Sequence, residues 1–268
     1  NGGWVDLQQI CSDEQKQLSS SQLKCSTTVS KIYFRNQQWH ILDCNDELIC
    51  TSDRIFLAAA LETNNLLKSL SVDLFLKPVR GQLTKAKVST SSPWWPKIPS
   101  SAISGHVYAL PPRKRTDEEY EIVFGSTYDE DCDDLSIWES SNQENLDKLR
   151  ASLEVEPEFE NLEISGQFVG VRCVSKDRMP MMGPIKNYPG LYVLTALGSR
   201  AVMWTALASQ LFTAHLTHEL QEETFFDERF FAGDFLTAAG LTPELLSALS
   251  AGRFLAGVSN SKPIFPSG

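Results

Sequence analysis

Cations are scarce in this 268-residue chain: 24 Lys and Arg stand against 34 Asp and Glu, a formal net charge of −10. An acidic surface repels phosphate backbones, so bulk electrostatics argue against a nucleic-acid binder. The local exceptions are short basic patches at Lys85/Lys87 and at Arg113, Lys114 and Arg115. The six cysteines (11, 25, 44, 50, 132, 173) form no C-x-x-C pair and no Cys/His cluster. That spacing excludes a zinc site and a disulfide scaffold, and predicts reduced thiols in the cytoplasm. No stretch approaches the roughly 20 apolar residues of a membrane span, and none reads as a secretory leader. The first residue is Asn1, not methionine, and "NGGWVDL" reads as the interior of a longer protein.

What remains is ordinary globular composition, 42% hydrophobic and 22% charged, enough for one large domain or two small ones. Residues 4–18 read as a helix with Leu7, Ile10, Cys11 and Leu18 on one face. Residues 25–34, "QQWHILDC" and "ELIC" read as three strands, with a turn at Asn45-Asp46-Glu47. A buried strand over 54–59 follows. After Leu70 the pattern predicts an extended segment broken by Pro78 and Gly81, then a Pro/Trp-rich loop, "SSPWWPKIPSS". "HVYALPPR" and "YEIVFGSTYDE" predict a hairpin pair around an exposed loop at 113–119. The acidic run "DEDCDD" lacks calcium-loop spacing and predicts the cap of a helix from Leu135 to Leu153. Residues 166–174 and 190–197 read as strands, the second fully apolar and buried. A glycine turn and a helix over 201–217 follow. Thr242, Pro243 and Glu244-Leu245-Leu246 mark the start of a last short helix.

Two features carry chemistry. The strand 190–197 hands directly to a helix through Gly198, Ser199 and Arg200. Such a junction aims free N–H groups and a positive helix end at whatever lies beyond the strand. The other is Arg172, inside the apolar run "GQFVGVRCVS". A buried guanidinium needs a partner, either an internal carboxylate or the carboxylate of a ligand. Elsewhere the ordinary reading prevails: His215 and His218 form a solvated helix end. Trp94 and Trp95 pack a loop, and Met179, Met181 and Met182 fill core. No metal site is predicted.

"GVRCVSKDRMPMMGP" followed by "PGLYVLTALGSRAVMWTALASQL" resembles the closing motif pair of the D-amino-acid-oxidase-like FAD-dependent oxidoreductases. "NGGWVDL", "LKPVRGQLT", "HVYALP" and "NQENLDKLRASL" extend the resemblance along nearly the whole chain. Within that family they point to the FAD-dependent part of bifunctional enzymes that modify the wobble uridine of tRNA. The resemblance implies an α+β, two-domain flavoenzyme fold: a partial FAD-binding domain and an antiparallel-sheet substrate domain. The implied boundaries are 1–70 and 166–222 for the FAD domain, 71–165 for the substrate sheet and 223–268 for a tail. It also implies FAD as cofactor, tRNA as partner, a methyltransferase-like domain ahead of this chain, and oxidation of a CH–NH bond. Alternatives are a small-molecule amino-acid or amine oxidase of the same fold, or a silent domain without FAD.

Residue by residue, the resemblance implies that Arg172 binds a substrate carboxylate. Tyr108, Arg80, Gly81 and Gln82 would border the substrate cavity. Ala59, Ala60, Gly198, Ser199, Arg200, Ala201 and Val202 would line the flavin, and Val29 would touch its adenine. No protein nucleophile is implied. A tRNA substrate further implies a positive surface from Lys85, Lys87, Arg113, Lys114 and Arg115. Two departures stand out. The family's Gly-x-Gly-x-x-Gly phosphate loop is not among these residues, and position 60, where the family pattern has glycine, is alanine.

Overall fold

The computed structural model describes residues 4–19, 22–222 and 248–251, the last turns of the long helix as backbone only. The predicted helix at Thr242–Leu246 and the side chains of His215 and His218 lie outside the described residues. Helices α1 to α4 are Leu7–Lys16, Glu62–Leu67, Glu139–Leu153 and Ala201–Glu222. Strands β1 to β4 are Lys31–Arg35, Gln38–Leu42, Leu48–Ser52 and Ile55–Leu57. Strands β5 to β9 are Lys77–Ser89, Tyr108–Ala109, Arg113–Lys114, Glu119–Gly125 and Asp129–Glu130. Strands β10 to β12 are Glu163–Val174, Met181–Pro184 and Leu191–Thr195. No described helix is long and apolar enough to cross a membrane.

The chain divides into two compact units. One comprises Asn1–Cys25 and Val79–Val171, the other Ser26–Pro78 and Arg172–Gly268. The division groups residues 1–25 with the large sheet, where the sequence reading placed them with residues 26–70.

The unit beginning at Ser26 holds two small sheets. The antiparallel meander β1-β2-β3 turns at Asn36 and Gln37, both with positive φ (52° and 63°), the geometry of a two-residue hairpin turn. Alternation puts Ile32 and Trp39 inward, both fully buried, in a core with Leu67, Leu74, Leu191 and Val193. Each such side chain contributes roughly 1.5–3 kcal/mol through burial. The indole N–H of Trp39 donates to the carbonyl of Pro189 (2.8 Å), joining meander to core. The second sheet runs β11-β12-β4, with β4 parallel to β12. β4 is shorter and less buried than predicted: Phe56 is 41% exposed, and its ring stacks on Tyr192.

The other unit is built on the sheet β10-β5-β8-β6, with β7 and β9 as short additions. Pro78 and Gly81 do not break β5, which runs unbroken through both. Pro78 sits near the strand start, where a missing N–H is tolerated. Ala86, Val88, Ile122 and Phe124 alternate onto one face and pack with Leu146 and Leu149 of α3. α3 begins at Glu139, not Leu135. The acids before it make a turn instead: Asp134 accepts from the backbone N–H (2.7 Å) and hydroxyl (2.7 Å) of Ser136. Those bonds hold the Asp134 carboxyl below its ordinary pKa. α1 is where the pattern put it, yet none of its side chains is buried, Leu7 and Ile10 included.

Candidate cofactor and substrate sites

Two parallel strands end side by side in the second unit, and both end in a left-handed alanine. β4 leads to Ala60 (φ 50°) and β12 to Ala196 (φ 56°). That conformation costs an alanine about 1–2 kcal/mol, so neighbouring contacts must hold it. The Thr195 hydroxyl donates to the Ala60 carbonyl at 3.0 Å, and lies 3.5 Å from the Cys173 sulfur of β10. Burial pushes the Cys173 thiol pKa up, against the opposing hydrogen bond from Thr195. Position 60, where the family pattern has glycine, is therefore a position whose backbone suits glycine. The strands can approach because residue 190 is glycine. Its φ is +71°, and a Cβ there would lie 2.2 Å from the Asp53 carbonyl oxygen.

Beyond Ala196 the chain makes the predicted turn. Gly198 has φ +57°, and residues Gly198–Arg200 form one 3₁₀ turn that runs straight into α4. No side chain caps this turn. Around it Ser199, Arg200 and Val202 are exposed and Gly198 and Ala201 half-buried. Ala59 and Ala60 are exposed at the end of the neighbouring strand. Arg172 is half-buried near the end of β10. Residues two apart on a strand share a face, so Arg172 shares one with Val174. A Cβ on Gly198 would meet the Val174 Cγ1 at 3.7 Å. Val174, two residues along β10 from Arg172, thus lies beside the turn that opens α4. Val29 is exposed just ahead of β1.

The other unit holds Tyr108, Arg80 and Gln82. Tyr108 is 55% exposed on β6, opposite Gly125. Arg80 and Gln82 differ from the sequence reading, which set them at the border of a cavity: both are fully buried. All five guanidinium N–H positions are engaged. Nε donates to the Asp134 carbonyl (2.9 Å). Nη1 donates to Asp129 (2.9 Å) and Ser141 (3.4 Å), and Nη2 to the Gln82 side chain (2.9 Å) and the Ser136 carbonyl (2.6 Å). The Arg80 plane lies 3.9 Å over the Trp138 ring. Gln82 in turn donates to the Trp138 carbonyl (2.9 Å) and accepts from its N–H (2.9 Å). The pair braces the segment that leads into α3. Nothing local in "VRGQ" reveals partners some 50 residues away.

The basic strip is partly neutralised. Lys87 pairs with Glu163 (2.9 Å), Lys114 with Asp117 (2.7 Å) and Arg115 with Glu121 (2.6 Å). Glu163's hydrogen bond and charge hold the Lys87 ammonium above its ordinary pKa. Trp94 is buried, its indole donating to the Glu160 carbonyl (2.9 Å), and Trp95 packs on Tyr120. Met181 and Met182 are buried, and Met179 packs beside Met182. Among the described residues no group of His, Cys, Asp and Glu could hold a metal ion.

Comparison with known proteins bears on these sites. Residues 1–215 match the family described as FAD dependent oxidoreductase. The tRNA 5-methylaminomethyl-2-thiouridine biosynthesis bifunctional protein MnmC of Polaromonas sp. (strain JS666) is 28% identical over 202 residues, 72% of this chain and 31% of that protein. The chain thus spans about a third of the length of the curated relatives it matches. Iminodiacetate oxidase from Chelativorans sp. BNC1 superposes with a TM-score of 0.56 at 18% identity, covering 72% of this chain and 49% of that one. L-proline dehydrogenase from P. horikoshii gives 0.57 at 14% identity, covering 86% and 54%. At those identities the likeness establishes the fold alone, the α+β architecture of D-amino-acid-oxidase-like flavoenzymes. FAD is the family's cofactor. The small residues and uncapped helix end at Ala59–Ala60 and Gly198–Val202 fit an electron-rich ring edge; a phosphate loop is not among these residues. The chain belongs to the FAD-dependent oxidoreductase family.

Proposed function

We propose that the protein carrying this chain acts on carboxymethylaminomethyl-2-thiouridine at the tRNA wobble position. It oxidises the C–N bond, leaves the aminomethyl group and releases glyoxylate. The supporting observation is that Val174, two residues along β10 from Arg172, lies beside the Gly198 turn. The relative's name supplies the tRNA substrate.

In this reading Arg172 grips the substrate carboxylate in two parallel hydrogen bonds and so fixes the methylene between carboxylate and nitrogen. Bound FAD would supply the two-electron acceptor that takes the hydride of that methylene. The amine also loses a proton, and the CH–NH unit becomes C=N. Water adds across C=N, the C–N bond breaks, and glyoxylate and the amine separate. Gly198, Ser199, Arg200, Ala201 and Val202 would hold the flavin, the amino end of α4 stabilising negative charge that develops on it. Ala59 and Ala60 would line the flavin, and the backbone at Val29 would hold the adenine. Arg80 and Gln82 brace the segment that leads into α3. Residues 26–78 and 172–222 then form the cofactor domain, and residues 79–171 the substrate domain. A methyltransferase-like domain ahead of this chain completes the proposal.

The test is to incubate the FAD-loaded protein with tRNA bearing the carboxymethylaminomethyl nucleoside and to follow nucleosides by mass spectrometry and glyoxylate by derivatisation. Conversion with matching glyoxylate is expected. Unchanged tRNA together with oxidation of free N-substituted glycines replaces this reading with the small-molecule one. A full-length protein without flavin absorbance overturns both.

A further inference from the structure

We infer that the outer face of the β1–β2 ribbon is a contact surface for single-stranded tRNA, built on the stacked rings of Tyr33 and His40. This rests on the tRNA reading above. Tyr33 and His40 are direct cross-strand partners, with ring centroids 4.7 Å apart and planes 4° from parallel. The inner face of the ribbon is committed to the core by Ile32 and Trp39. Alternation therefore puts Lys31, Tyr33 and Arg35 together on the other face.

Lys31 and Arg35 flank the Tyr33 ring along β1, with two carboxylates at the margins. Arg35 is exposed and makes no ion pair among the described residues. Lys31 faces Asp46 at 3.6 Å, both largely solvated, an arrangement worth little. β1 is the edge strand of its sheet, and the Ser69 hydroxyl donates to the Ile32 carbonyl (3.0 Å), which sets Lys68 beside that edge. The Lys68 ammonium donates to the Asn65 amide oxygen (2.6 Å). Asp46 and Asp53, the latter reached by Gln38 at 3.3 Å, mark the two ends of the patch.

The combination selects its partner. A base offers a π-face to an aromatic platform whatever its sequence, and cations alongside take the phosphates. Lys31 and Arg35 are four residues apart, roughly 13 Å along a strand. A nucleic-acid strand laid along β1 therefore meets a cation on either side of a base stacked at Tyr33. In a chain of net charge −10 such a patch is a local exception, and its sign matches RNA.

The test is tRNA affinity of the full-length protein by filter binding over a salt series. Tyr33→Ala weakens binding by about 5- to 150-fold, the worth of one stacked base, and Tyr33→Phe keeps wild-type affinity. Arg35→Ala, which leaves the ring stack untouched, lowers the slope of log affinity against log salt by about 0.7 to 0.9. Flavin absorbance and kcat at saturating tRNA stay at wild-type values. Wild-type affinity and slope in Tyr33→Ala and Arg35→Ala overturn this surface and leave the proposed reaction standing. A wild-type protein that binds no tRNA overturns both.

Discussion

Thr195 donates its hydroxyl proton to the carbonyl of Ala60 across 3.0 Å, tying the ends of the two parallel strands together. That bond holds a left-handed alanine in place beside the turn at Gly198. The cost of the backbone at residue 60 and the bond that opposes it can be measured separately.

Ala60→Gly removes the Cβ penalty at φ 50° and gives back part of the gain as chain entropy. The expected net effect is a stabilisation of about 0.5–1 kcal/mol. Thr195→Val, similar in shape, removes the donor and destabilises by about 1 kcal/mol. Thermal unfolding of the two variants reads both signs.

Arg80 is the most heavily bonded side chain described, and removing it takes a donor from every partner. Arg80→Met takes the guanidinium from two backbone carbonyls and from Asp129, which keeps the Thr127 hydroxyl (3.1 Å), and is expected to cost about 3–5 kcal/mol. Urea unfolding monitored by tryptophan fluorescence measures it. A cost below about 1 kcal/mol would mean that the segment before α3 stands without the brace.

These two sites also mark what could be read from the sequence. The Gly198 turn, the long helix and the meander were legible because their signals are local: a glycine, an apolar run, tight turns. The family followed from two motifs close together in the chain. The Arg80 network was not legible, because Asp129, Ser136 and Ser141 come to it from distant sequence. Alanine itself carries no left-handed preference, so the sign at position 60 was the glycine of the family pattern. Cys173 looked like one more scattered thiol, and only folding sets it beside Thr195.

Burial separates the cysteines chemically. Cys11, Cys25, Cys44 and Cys50 are exposed, and Cys173 is buried with its pKa raised by desolvation. Iodoacetamide near pH 8.5 is expected to label the exposed four within minutes and to leave Cys173 unlabelled until the protein unfolds. The linked effect on stability has a definite sign. The unfolded thiol ionises first, so stability falls as pH rises through the ordinary thiol value toward the raised folded one. Cys173→Ala flattens that alkaline limb, as melting temperature against pH will show.

The most direct test compares kcat/KM for an N-carboxymethyl amine and for its carboxylate-free N-methyl analogue, in the wild type and in Arg172→Met, with flavin content checked by absorbance. Arg172→Met is expected to lose about 100-fold on the carboxylate substrate, the worth of a paired charge-assisted hydrogen bond, and to treat the analogue as the wild type does. Equal losses on both substrates, or none on either, would contradict a carboxylate grip at Arg172.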